Sequence, residues 1–250
     1  LRDLAGAAKS VPTDPTRKIR YPAPRDGNLP QPFAIERPLP RLTGRDARLA
    51  PFPANEHPRA GFFEGAIAPL TGHKAMVFLP WAPDSYVVLD LPEAIFAARE
   101  RLFLAHAHIP ASWDQKNIVL PDRDWKRDSD TLVSTWELPS ILDFSMQIRP
   151  AANNAIDMDL RVHNKSGEPF TNLRSQVCVL LKRAKGFAGQ TQFEKAIARA
   201  QIGERSLAVE WQNCQRTWGN PRCPCIHSDP ALPDCRPGDT VAVKGRLWFE

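Results

Sequence analysis

The sequence has no apolar run approaching the roughly 20 residues that a membrane-crossing helix needs, so no membrane span is expected. It also lacks the Gly-x-Ser-x-Gly elbow of many hydrolases, the glycine-rich phosphate loop of nucleotide enzymes and the His-Glu-x-x-His pair of metalloproteases. Tyrosine is scarce, with only Tyr21 and Tyr86, which leaves little room for tyrosine-based proton transfer. The net charge of +5 is modest, and its lysines and arginines are interspersed with acids instead of forming a stripe. No nucleic-acid partner is therefore expected. Proline, by contrast, is abundant: 25 in 250 residues is twice the usual share of about 5%. Because proline fixes φ and donates no backbone hydrogen bond, this excess argues against long helices and for short strands ended by turns.

Cysteine is sparse and unevenly placed. Of the five, Cys214, Cys223, Cys225 and Cys235 fall near the C-terminus and Cys178 stands apart. Such clustering is common in the disulfide frameworks of exported proteins. Together with a first residue that is not methionine, it leads us to expect a processed chain in a secreted or periplasmic setting. The segment "WGNPRCPCIHSDPALPDC", Trp218 to Cys235, reads as a proline-rich loop braced by disulfides among those four cysteines, with three pairings open. A thiolate zinc site at Cys223 and Cys225 is the lesser alternative, because only Pro224 separates them and zinc pairs usually have two to four intervening residues.

Residues 1–60 carry much proline and little periodicity, as in "VPTDPTRKIRYPAPRDGNLPQPF", and read as an extended arm. Residues 61–250 read as one all-β domain, an antiparallel β-sandwich or barrel of about eleven strands. Short apolar or alternating runs such as "KAMVFLP", "SYVVLDLP", "TLVSTWELP" and "ILDFSMQIRP" supply the strands. The clearest runs from Ile156 to Asn164, where Ile156, Met158, Leu160 and Val162 alternate with Asp157, Asp159, Arg161 and His163. One short helix insertion is expected where Thr191 and Glu194 form a capping-box pattern and Phe193, Ala196, Ile197 and Ala200 share a helical face.

Chemistry is expected from "LFLAHAHIP", since His106 and His108 project from one face of a strand and can converge on one ion. A third imidazole, from His227, would complete a mononuclear centre for copper, zinc or iron. Cys178 in "SQVCVLL" is a small buried hydrophobe by default, and a soft metal ligand if the Gln176 face lines the pocket. Trp113 and Trp218 lie close to the histidine segments and are placed at a pocket rim with Gln176 to bind substrate. Asp114 is the candidate proton-transfer carboxylate beside His106 and His108, and Asp229 the candidate orienter of His227.

The segments "LFLAHAHIPASWD", "LRVHNKSGEPFTNLRSQVCVLLKRAKGF" and "WGNPRCPCIHSDPALPDCRPGD" resemble uncharacterised exported β-sandwich proteins of environmental bacteria. The piece "LRVHNKSGEPFTNL" is also similar in style to strands of galactose-mutarotase-like and polysaccharide-lyase supersandwich proteins. That resemblance implies a carbohydrate or related polar substrate. The expectation is thus an exported metal-dependent enzyme centred on His106, His108 and His227. A non-catalytic carbohydrate-binding module, or a metal-free sugar epimerase or lyase with histidine as acid or base, are the alternatives. The sequence leaves the oligomeric state open.

Overall fold

The structure is a computed structural model describing residues 49–52 and 74–250, except 99, 104–111, 113–115, 117, 119–124 and 221–222. Among the described residues fifteen strands follow one another: β1 (Leu49–Pro51), β2 (Lys74–Leu79), β3 (Ala82–Phe96), β4 (Arg101–Phe103), β5 (Lys126–Asp128), β6 (Thr131–Leu138), β7 (Leu142–Ala151), β8 (Ala155–Asn164), β9 (Arg174–Leu180), β10 (Phe187–Phe193), β11 (Ile197–Ile202), β12 (Arg205–Trp211), β13 (Cys214–Asn220), β14 (Cys223–Pro230) and β15 (Thr240–Phe249). They form two antiparallel sheets. The first has the order β1-β2-β3-β9-β14-β13, with β4 pairing β3, and the second β10-β11-β12-β15-β8-β7-β6-β5. Both sheets are open, so the expected choice between sandwich and barrel falls to the sandwich.

The core lies between the sheets. Leu89, Ile95, Val177, Val179 and Ile226 from the first meet Leu132, Trp136, Phe144, Leu160, Val209 and Leu247 from the second in one apolar cluster. Each such side chain contributes about 1.5–3 kcal/mol by leaving water. The second sheet shows the alternation most clearly in β8, where the apolar positions are buried while Asp157, Asp159 and Arg161 face outward. The first sheet does not. Met76, Phe78, Tyr86, Val88, Cys178, Leu180 and Cys225 form a second buried cluster on its outer face. Strands buried on both faces read as continuous apolar runs, which explains "AMVFL", "YVVL" and "VCVLL".

Three expectations are corrected here. The predicted helix around 193–200 is the hairpin β10–β11, with Phe193 opposite Ala198 and Thr191 opposite Ala200. Ala198, Ala200 and Ile202 are buried and alternate with Arg199 and Gln201, so a period of two in contact with the core overrides local helical preference. The predicted loop from Trp218 to Cys235 contains parts of two paired strands instead. There β14 lies between β13 and β9, and the Pro224 carbonyl accepts a hydrogen bond from the Leu181 N–H at 2.8 Å.

The disulfide brace is also absent: none of Cys214, Cys225 and Cys235 is disulfide-bonded. Their sulfurs sit in three different places. Cys214 Sγ receives the Ser228 hydroxyl at 3.3 Å, Cys235 Sγ is 3.2 Å from the Asp239 carbonyl oxygen, and Cys225 Sγ is beside His227. The Cys223 side chain is outside the described residues. Of the proline-rich arm only 49–52 is described, and Leu49–Pro51 adds an edge strand to β2.

Candidate metal centre

The pairing register lays one row of chemically capable residues across the outer face of the first sheet. Lys74 is opposite Asp90, Asp90 opposite Cys178, Cys178 opposite His227, and His227 opposite Trp218. Directly opposed antiparallel residues share a face and stand about 4.5–5.5 Å apart, so the row is set by backbone pairing alone. Met76, Val88, Leu180 and Cys225 form the apolar row beside it. In β3 the register against β9 shifts between Asp90 and Ala94, and this bulge delivers Glu93 to the same site.

At the centre, the donor atoms of Cys178, Cys225 and His227 lie within 4.8 Å of one another. All three residues are buried, at 0%, 5% and 1% exposure. His227 Nε2 is 3.3 Å from Cys225 Sγ. The other ring nitrogen, Nδ1, faces Glu93 Oε2 at 3.6 Å and Asp229 Oδ1 at 3.9 Å. It has no hydrogen-bond partner among the described residues. Glu93 is fixed by a 2.6 Å hydrogen bond from Gln176 Nε2.

The Trp218 indole covers the imidazole, with ring centroids 3.8 Å apart and planes 11° from parallel. Its Nε1–H donates to Asp229 Oδ2 at 2.8 Å, and Arg216 Nε donates to the same oxygen at 2.7 Å. The Arg216 guanidinium lies over the Trp218 ring at 4.9 Å, and the Val177 N–H donates to Asp229 Oδ1 at 3.3 Å.

Burial alone would push the Cys178 thiol up. A hydrogen bond with Cys225 and the positive charge of His227 reverse this and bring it down to about 6. For His227, burial disfavours the cation, but the Cys178 charge, a hydrogen bond with it, and the Glu93 and Asp229 carboxylates raise the imidazole to about 9. Without an ion, both shifts run toward a thiolate beside an imidazolium.

The donor set fits a soft cation. Zinc–sulfur and zinc–nitrogen bonds of about 2.3 and 2.0 Å place tetrahedral donors roughly 3.5 Å apart, and the 3.3 Å between sulfur and nitrogen is of that size. An imidazole with one nitrogen toward the sulfurs and the other toward carboxylates is the usual arrangement around a metal.

Among the sequence candidates, His227, Asp229, Trp218, Gln176 and Cys225 come together here, and Cys178 joins them on the Gln176 face. Trp218 gives one ring face to His227. His106, His108, Trp113 and Asp114 lie outside the described residues. Glu93 was not singled out from the sequence, because nothing in "LDLPEAIF" marks the bulge that turns it inward.

No protein-family model matches the sequence, and no curated protein does. Among solved structures, a polysaccharide lyase is similar at a TM-score of 0.35 and 13% identity, over 68% of this chain and 27% of that one. A protein described as a kojibiose phosphorylase from the human microbiome is similar at 0.38 and 7%, over 81% of this chain and 32% of that one. The chain thus spans about a third or less of these longer proteins.

Proposed function

We propose that the protein is a metal-dependent enzyme acting on a carbohydrate or related polar substrate, with Cys178, Cys225 and His227 as the ligands of a mononuclear transition metal. The observation that carries this reading is the convergence of two sulfurs and one imidazole nitrogen within 4.8 Å in a buried site. Zinc and copper suit such a donor set better than harder ions. A metal held by three protein ligands supplies a Lewis acid or redox centre with a position left for water or substrate.

The chain's own groups do the rest. The charges of Glu93 and Asp229, 3.6 and 3.9 Å from His227 Nδ1, favour the proton on that nitrogen and so leave Nε2 as the donor. Gln176 and Arg216 add hydrogen-bonding groups of the kind that bind sugar hydroxyls. The test is elemental analysis of the purified protein, followed by activity on a glycan panel with and without chelator. About one zinc or copper per chain and chelator-sensitive turnover are expected. A chain that takes up no metal on reconstitution under reducing conditions would overturn the reading.

The depressed Cys178 thiol beside a charged His227 favours one second reading, a metal-free centre using the thiolate and imidazolium for nucleophilic or proton-transfer chemistry. It predicts turnover that survives chelators and is abolished by Cys178→Ala.

A further inference from the structure

The way Asp229 is bonded goes further than a neighbouring negative charge requires. The residue is buried at 5% exposure, and both of its oxygens accept hydrogen bonds. One oxygen takes both the Trp218 indole N–H at 2.8 Å and Arg216 Nε at 2.7 Å. The other takes the Val177 backbone N–H at 3.3 Å and lies 3.9 Å from His227 Nδ1. Trp218, fixed by that bond, lies 3.8 Å from the His227 ring at 11° from parallel. The imidazole is thus held by an indole on its face and by carboxylates at Nδ1, and Asp229 governs the first and shares the second with Glu93.

From this geometry we infer that Asp229 is the positioning residue of the centre. It locks Trp218 flat on His227 and thereby aims Nε2 at the sulfurs of Cys178 and Cys225, without touching the metal or substrate. Glu93 accepts a hydrogen bond from Gln176 at 2.6 Å and faces Nδ1 at 3.6 Å, so it acts on the ring nitrogen by its charge. The inference rests on the proposed metal site for its meaning, but the position of the ring is measurable without any metal.

Three variants separate the roles. Asp229→Asn keeps the shape and an acceptor oxygen but loses the charge, Asp229→Ala removes both, and Trp218→Phe keeps a ring on His227 but loses the N–H. Cobalt(II) is the probe, read by its sulfur-to-metal charge-transfer and ligand-field bands. Asp229→Ala should weaken cobalt binding about 10–100-fold, the usual effect of removing a partner of a ligating histidine, and shift the bands. Asp229→Asn should restore part of both, and Trp218→Phe should fall between Asp229→Asn and wild type.

In metal-free protein, nuclear Overhauser contacts between the Trp218 and His227 rings should be strong in wild type and lost in Asp229→Ala. Folded Asp229 variants with wild-type cobalt affinity, bands and ring contacts would overturn the inference. Should both Asp229 variants fail to fold, Trp218→Phe decides: bands and affinity identical to wild type overturn it. If wild type takes up no cobalt, the metal reading falls, and the ring contacts alone decide the role of Asp229.

Discussion

At the scale of single residues, the site is a buried exchange of charge between sulfur and imidazole, and its consequences can be tested. Removing one of three donors should abolish metal retention: His227→Ala or Cys178→Ala should drop the bound metal from near one per chain to near zero, read by elemental analysis. Metal binding requires thiolate and neutral imidazole, so uptake should release protons near neutral pH, measurable by calorimetry in buffers of different ionisation enthalpy.

The same two groups set a pH dependence in the metal-free protein. Cys178 falls from an ordinary 9.0 to about 6, so its contribution to stability is complete above pH 9 and is lost as pH falls toward 6. His227 rises from 6.5 to about 9, so its contribution is complete below pH 6.5 and is lost as pH rises toward 9. Their sum should be greatest between those limits. The difference in melting temperature between wild type and Cys178→Ala should follow such a bell, and a difference independent of pH would rule out the ion pair.

At the scale of elements, the site depends on β13 and β14 approaching closely, and glycine permits it. A Cβ on Gly219 would stand 2.9 Å from the Cys225 carbonyl oxygen and 2.8 Å from Phe193 Cζ. The oxygen is backbone and cannot swing away. Gly219→Ala should therefore cost about 1–3 kcal/mol, the usual range for overpacking, and also weaken metal binding by displacing Cys225. Gly245→Ala is the control, because its Cβ would run into the Trp211 indole in the second sheet and touch none of the three donors. It should lower the unfolding midpoint in urea while leaving the metal affinity of the folded protein unchanged.

The outer face of the second sheet is a further contrast. It carries a groove of about 430 Å³ with Arg149, Asp157 and Arg246 among its lining residues. Its charges neutralise one another across strands, with Arg149 and Arg246 3.9 and 3.7 Å from Asp157. That face keeps the plain alternation of a solvated sheet, whereas the outer face of the first sheet is buried and bears the candidate ligands.

At the scale of the whole molecule, a metal that binds only the folded chain adds stability by mass action. At a free concentration 100 times its dissociation constant it contributes about 2.7 kcal/mol. Chelation should therefore lower the melting temperature of wild type but not that of His227→Ala, as differential scanning calorimetry would show; equal effects on both would mean that the metal sits elsewhere.

The sandwich was legible because its signal is local: the alternation of β8 and the proline-ended runs of β2, β3, β6 and β7 are each contained in one strand. The hairpin β10–β11 was not, because "FEKAIARA" satisfies helical spacing as well, and only pairing with β12 decides against it. Strand β14 was hidden by its prolines and cysteines, which signal a loop wherever no neighbouring strand is in view. By itself the sequence determined an antiparallel fold and singled out His227, since composition and periodicity are properties of the chain alone. The tertiary structure decided which residues face His227. Cys178 and Glu93 are distant in sequence and become neighbours only through register and a bulge, and cross-strand register is set by the packing of both sheet faces, which no single segment encodes.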